Sequence, residues 1–465
     1  MHEISNINRM ANKPKYKHTT YFRKSDLENI GYSIWSPTIR DWRDVIEDYI
    51  YISKKRRNNK LAMFKLQIDL LENILLITKQ LNTYKALLEE PEERKIQFPD
   101  REINEKDLEY WEREFKTTKL ILNALKDIGD GIAWRVFGYD RSIIYNMCVN
   151  NSEPGPITVN QGLITELHSM GDFSNDQEVK NFVYHGITNF LLISDLTILL
   201  DGDEINFIEI KSGKNSRGKS WRERLERQER RVKNIVSIGN TAEGISSNVL
   251  TKFRLVNQKP KTLLNRFDTL FKRARQQLIT TQVFNSYLGI ATINFEYASE
   301  GSSKEIIDNK LIKLECQIRK NDNDILISPN NVKNLIFSPN RAPSSVHPYD
   351  QEDIANILLG KYFVIYYFNV SRFIKEIEKR GWKVFDLIYD RDREQNDNFD
   401  ANSMFSVSKD RLRLSVPPFL TARAIYEGLS VDSLVQIFED TLRKGPIDLK
   451  HAIFYGYEKE KYLWD

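Results

Sequence analysis

Residues 195–211 read Asp-Leu-Thr-Ile-Leu-Leu-Asp-Gly-Asp-Glu-Ile-Asn-Phe-Ile-Glu-Ile-Lys. Leu196, Ile198 and Leu200 alternate on the way in, and Ile205, Phe207 (with Ile208) and Ile210 on the way out. Asp201-Gly202-Asp203 between them tolerates positive φ, so the stretch predicts two antiparallel strands joined by a tight turn. In such a hairpin the first and last residues come close together. Asp195 at one end and Glu209 and Lys211 at the other therefore converge where apolar strands should simply end. Charges set against a core are costly unless paired or bound to a metal.

A bare Glu-x-Lys carries little information, and it also starts at Glu93, Glu114 and Glu178. Glu209-Ile210-Lys211 differs in its surroundings. It closes an apolar strand, so both charged side chains leave the same strand face. Asp195 precedes it at the far end of a hairpin, and Lys211 opens the loop Ser212-Gly213-Lys214. Two carboxylates within reach of one point suit a hard cation. Mg²⁺, with Mn²⁺ as the alternative, prefers oxygen ligands, takes one or two carboxylates and keeps waters and phosphate oxygens. The carbonyl of Ile210 is a natural further ligand. A lysine beside such a metal can orient or help deprotonate an attacking water. This is a parts list for phosphodiester hydrolysis. The plainer alternative is a strand-end salt bridge among Asp195, Glu209 and Lys211 without metal.

Helices are expected on both sides of the hairpin. Downstream, over 221–237, Ser220-Trp221-Arg222-Glu223 is a capping box, followed by apolar Leu225, Val232, Ile235 and Val236. Gln228 falls inside that stripe, placed to reach the neighbouring strand end or, alternatively, to bond backbone at the core edge. The other face, Arg222, Arg224, Arg227, Arg230 and Arg231, together with Lys214, Arg217 and Lys219, is the candidate phosphate-binding surface; Glu223, Glu226 and Glu229 offer pairing along the helix instead. Upstream, a short helix over about 161–170 puts Glu166 on the face of Leu163, Leu167 and Met170. Glu178 is its rival. A second short helix or turn is expected at 175–184, then a strand at 186–194. His168 and His185 show no metal-ligand spacing.

The order helix-Glu, strand, Asp-strand, strand-Glu-x-Lys, helix-Gln, strand resembles the PD-(D/E)xK nuclease superfamily, whose core is restriction-endonuclease-like. The resemblance covers 157–257; Ser194 stands where the name expects Pro, and Phe190-Leu191-Leu192-Ile193 supplies the apolar strand before Asp195. It implies that Asp195 and Glu209 ligate Mg²⁺, that Lys211 is the catalytic lysine, that Glu166 supports or orients, and that Gln228 positions water or scaffolds the site. The fold class that follows is α/β (α+β), with a mixed sheet flanked by helices.

The chain has 465 residues, too many for one ordinary core. A mainly helical region over 1–155, the nuclease-like core over 156–298 and a mixed α/β accessory region over 299–465 are expected. In the first, Leu70, Ile74, Ile77, Leu81, Tyr84 and Leu88 predict a helix ended by Pro91, and Leu108, Trp111, Phe115, Leu122 and Leu125 a second closed by Gly129 and Gly131. The two form a helical hairpin or, alternatively, a surface for a homo-oligomer or partner protein. A long basic helix is expected over 261–283, and strands near 248–257, 286–297 and 362–370.

No apolar run approaches the ~18–20 residues of a membrane span. Two cysteines, Cys148 and Cys316, exclude a disulfide framework and a Cys-based zinc site, so a cytoplasmic setting is expected. The net charge is only +4, yet residues 211–280 hold 18 Lys and Arg against 5 Asp and Glu, leaving −9 for the rest. The positive block begins at Lys211, as expected for a polyanion partner or, alternatively, for a solvated, Arg-rich helix face. The function expected is Mg²⁺-dependent endonucleolytic cleavage of DNA, with restriction or anti-phage defence as the context by analogy of fold. RNA as substrate, and a catalytically inactive nucleic-acid-binding scaffold, are the alternatives.

Overall fold

The computed structural model describes residues 37–141, 144, 161–191, 195–200, 205–208, 210, 243–246, 249–256, 259–298, 302–319, 325–329, 342–388, 404–410, 412–416, 418–444 and 452–457. The architecture is α+β. Four helices open it: α1 (Pro37–Lys55), α2 (Lys60–Glu89), α3 (Pro91–Gln97) and α4 (Glu105–Val136). Asn59 caps α2 by accepting from the Ala62 N–H, and Asn104 and Asp107 cap α4 reciprocally. The long helices pack on each other through Met63, Leu66, Leu70, Ile74 and Ile77 of α2 and Ile121, Leu125, Ile128 and Ile132 of α4. This is the expected helical hairpin, with one correction. Gly129 and Gly131 do not end α4. They are buried within it because other parts of the chain come too close for a side chain: a Cβ on Gly129 would lie 2.0 Å from the Ile187 carbonyl oxygen, and one on Gly131 2.3 Å from the Ser345 hydroxyl.

The helix α5 (Gln161–Asn175) leads into β1 (Val179–Tyr184), then β2 (Leu196–Leu200) and β3 (Ile205–Ile208), an antiparallel meander in the order β1-β2-β3. The expected hairpin is present, with Leu196 opposite Ile208 and Leu199 opposite Ile205; its turn lies outside the described residues. The strand that precedes Asp195 differs from expectation. It is 179–184, where a helix or turn was expected. Of the 186–194 segment, His185–Ile187 is a single 3₁₀ turn, and Phe190 and Leu191 are buried outside any strand.

Polar side chains of the helical hairpin tie this region down. Gln67 of α2 acts as a substitute strand partner on the β1 edge, donating to the Phe182 carbonyl (3.0 Å) and accepting from the Tyr184 N–H (2.8 Å). On α4, Lys126 donates to the carbonyls of Gly186 and Thr188, and both oxygens of Asp130 accept from Asn189. Burial pushes the Asp130 carboxyl up to about 8, against the opposing Asn189 bonds, and pushes the Lys126 ammonium down to about 8.

Farther along, β4 (Glu243–Ser246) and β5 (Val249–Val256) pair antiparallel, and β5 pairs parallel with β13 (Ala452–Tyr457). Among the described residues β5 joins that mixed sheet and not β1–β3. The expected helix over 261–283 is shorter. It is α6 (Leu264–Ala274), and Ile279–Val283 is strand β6, rich in β-branched residues. With β7 (Leu288–Asn294), β8 (Ile325–Pro329) and β9 (Tyr362–Asn369) it forms the sheet β6-β7-β9-β8. Every residue of β9 is buried. One sheet face is covered by α7 (Ser302–Arg319) through Leu314 and Ile318. The rest of the chain adds α8 (Gln351–Leu358), α9 (Val370–Glu378), the sheet β10 (Lys383–Ile388), β11 (Met404–Lys409), β12 (Leu412–Val416), then α10 (Pro418–Tyr426) and α11 (Val431–Lys444). One apolar cluster runs through α1, α2, α4, β1, β2, α6, β9 and α11. No helix among the described residues is long and apolar enough to cross a membrane.

Candidate functional site

Asp195 sits where three strands end. Leu196 of β2 is paired with Tyr184, the last residue of β1, and with Ile208, the last residue of β3. Asp195 is one step beyond those pairs. Its carbonyl accepts from the His185 N–H (3.0 Å), its N–H donates to the Ile208 carbonyl (3.1 Å), and its Oδ2 accepts from the Ile210 N–H (2.7 Å). Both sequence neighbours of Glu209 are therefore bonded to Asp195. The half-buried carboxylate is fixed in orientation by backbone, which removes the side-chain entropy cost of placing it when a ligand arrives.

Glu166 reaches the same place from α5. Leu163 and Met170 bury one face of that helix, Leu167 packs against the core, and Glu166 lies half-buried on the same side. Its Oε2 accepts from the Tyr184 hydroxyl (2.8 Å). Burial pushes the Glu166 carboxyl up, the Tyr184 hydrogen bond opposes this, and the charge of Asp195 pushes it up further. The Tyr184 hydroxyl is itself held up by burial and by the two carboxylates. Glu178, the rival, is exposed at the start of β1. Of the two, Glu166 is the one held at the Asp195 end of the sheet.

Tyr184 is the residue that sequence reasoning missed. Its ring can fold toward α5 because residue 186 is glycine: a Cβ there would fall 2.4 Å from the ring. An aromatic two residues before a glycine at a strand end was the available signal. His185, buried next to it, uses Nε2 on the Thr197 hydroxyl (2.7 Å), and His168 is exposed.

Glu209, Lys211, Lys214, Arg217, Lys219, Arg222, Arg224, Arg227, Gln228, Arg230 and Arg231 lie outside the described residues. Among those described, no group of three or more Asp, Glu, His or Cys side chains gathers as a metal site needs. Two carboxylates that feel each other's charge, Glu166 and Asp195, are present with the Ile210 backbone beside them. That donor chemistry fits a hard divalent cation, which would relieve the repulsion and accept oxygen from carboxylate, carbonyl and water alike.

No family model, curated protein or solved structure matches this chain. The functional reading therefore rests on these residues and their geometry.

Proposed function

We propose that the protein is a metal-dependent endonuclease that hydrolyses DNA phosphodiester bonds at the Glu166–Asp195 end of the β1–β3 sheet. One observation carries the reading. Asp195 is hydrogen-bonded to both sequence neighbours of Glu209, and Tyr184, paired with Leu196 next to Asp195, holds Glu166 at the same sheet end. In this reading Asp195, Glu209 and the Ile210 carbonyl hold Mg²⁺, with Glu166 as a further oxygen donor. When bound, the cation would polarise the phosphoryl group and acidify a water. The remaining work falls to the chain. The Ile210 N–H keeps Asp195 turned toward the site, Tyr184 holds Glu166, and Lys211 orients the attacking water and neutralises charge as it develops on the phosphoryl oxygens. The basic block that begins at Lys211 attracts the polyanion.

The test is cleavage of supercoiled and linear DNA in Mg²⁺ by wild type, Asp195→Ala and Lys211→Ala, with RNA in parallel. Cleavage that requires Mg²⁺ and falls at least about a hundredfold in both variants is the expected outcome. If both variants cut like wild type, the site is wrongly assigned.

A further inference from the structure

The turn between α1 and α2 carries the basic run Lys54-Lys55-Arg56-Arg57, followed by Asn58, Asn59 and Lys60. Its backbone is fastened from several sides. Lys54 Nζ donates to the carbonyls of His347 (2.5 Å) and Tyr349 (2.8 Å). Arg57 donates to the Tyr139 hydroxyl (3.3 Å), and its carbonyl accepts from Asn181 Nδ2 (3.3 Å). Lys60 Nζ donates to the carbonyls of Asp176 and Val179 (2.9 Å for the latter). Three of the basic side chains are thus spent on holding the turn.

Lys55 and Arg56 are not. Both are exposed, neither has a carboxylate partner among the described residues, and with Asn58, Asn59 and Lys60 they line an open groove. Asn59 uses its oxygen on the Ala62 N–H, so its amide presents donors to that groove. Some exposed lysines elsewhere pair along their own helix, as Lys116 does with Glu112 (2.6 Å), Lys272 with Asp268 (2.8 Å) and Lys379 with Glu376 (2.7 Å). A rigid turn that leaves two cations unpaired and surrounds them with neutral donors is preorganised for phosphate, because the cost of ordering it is met in the folded protein.

The turn has a fixed relation to the candidate site. Lys60 bonds Val179, the first residue of β1, and Tyr184, the last, holds Glu166. A strand of that length spans about 17 Å. At ~3.4 Å per base pair, this is about five steps of B-form DNA.

We propose that the 55–60 turn is a backbone-phosphate anchor for duplex DNA, with Lys55 and Arg56 contacting phosphates about half a helical turn from the scissile bond. The proposal rests on the reading of the site as DNA-cleaving, and the two are separately testable. Binding of a fluorescent 30-base-pair duplex to the full chain is measured by anisotropy in EDTA, between about 50 and 200 mM salt, where loss of phosphate contacts is most visible. The Lys55→Gln/Arg56→Gln double variant is compared with wild type and with Lys304→Gln/Lys313→Gln, an equal charge change at exposed positions of α7. The slope of log Kd against log salt should fall by about 2 in the first variant, with binding at the lowest salt weakened roughly tenfold, while the α7 variant follows wild type. Equal slopes in all three proteins, or a wild type that does not bind duplex, would overturn the anchor. Cleavage in Mg²⁺ is read separately. A wild type that binds with the expected slope and never cuts refutes the nuclease reading and leaves the anchor standing. A wild type that cuts while the Lys55/Arg56 variant keeps its slope does the reverse.

Discussion

Glu427 and Glu166 are both drawn away from solvent, and the fold treats them in opposite ways. Glu427, just after α10, is fully buried between two guanidinium groups. Arg141 donates to both of its oxygens (2.6 and 2.7 Å), Arg423 adds a third bond (3.0 Å), and the Ala342 N–H a fourth (3.2 Å). Burial alone would push this carboxyl up, but Arg141 and Arg423 outweigh it and hold it down at about 2. Arg141 also stacks over the Trp134 ring at 4.9 Å. Glu166 is half-buried beside another carboxylate, with a tyrosine hydroxyl as its donor and its pKa pushed up. The first arrangement fixes three distant parts of the chain to each other. The second keeps two carboxylates at one sheet end, where burial and the charge of Asp195 raise the Glu166 carboxyl.

The contrast predicts where substitutions act. The largest effect on folding should come from Glu427→Ala, which removes the buried carboxylate that Arg141 and Arg423 share. A loss of about 3–5 kcal/mol is expected from denaturant melts, with any activity falling in step with the folded fraction. The pH dependence has a definite sign. The folded carboxyl titrates near 2 and the unfolded one near its ordinary 4.5, so the stabilisation is complete above 4.5 and is lost as pH falls toward 2. Melts at pH 6 and pH 3 should converge between wild type and Glu427→Gln at the lower pH. Parallel curves would sink the account of this cluster.

Next in size is Gly129→Ala, which drives a Cβ into the Ile187 carbonyl and so strains the 185–191 loop behind Asp195. About 1–3 kcal/mol of destabilisation is expected, and an unshifted melting temperature would show that α4 and the loop separate freely. Lys54 comes next. Burial first, and Arg135 second, push its ammonium down to about 7, although two backbone carbonyls accept from it. Its folded pKa is below its ordinary 10.5, so it gives wild type a stability that rises with pH between about 7 and 10.5. Lys54→Met should flatten that rise, read from melts at pH 7 and pH 9. The smallest effect belongs to Tyr184→Phe, which removes the hydroxyl donor to Glu166 and should cost about 1 kcal/mol of stability. A far larger loss would mean that Tyr184 serves the core more than the site.

Some of this was legible in the sequence and some was not, for physical reasons. The 195–211 hairpin was readable because one face alternates with period two around an Asp-Gly-Asp turn. The α2 and α4 helices were readable from 3-4 spacing. The end of α4 was misread because Gly129 and Gly131 suggested a stop, whereas they permit close approach. Strand β1 was missed because Phe182, Val183 and Tyr184 are all buried, which erases the alternation. Phe190 and Leu191 looked like a strand because they are apolar, yet they belong to a loop held by Asp130 and Lys126. Glu166 was legible as a carboxylate on an apolar helix face. Its hydroxyl donor was not, because Tyr184 comes to it only through the pairing of β1 with β2.

The central claim is that the Asp195 end of the sheet does chemistry while the Glu427 cluster only holds the fold. Asp195→Asn keeps the shape and an acceptor for the Ile210 N–H but halves the site's described carboxylates. Its rate of Mg²⁺-dependent DNA cleavage, measured on protein shown to be folded by melting, tests that claim directly. The account predicts wild-type-like melting with cleavage reduced at least about a hundredfold. Cleavage at the wild-type rate by folded Asp195→Asn would contradict it.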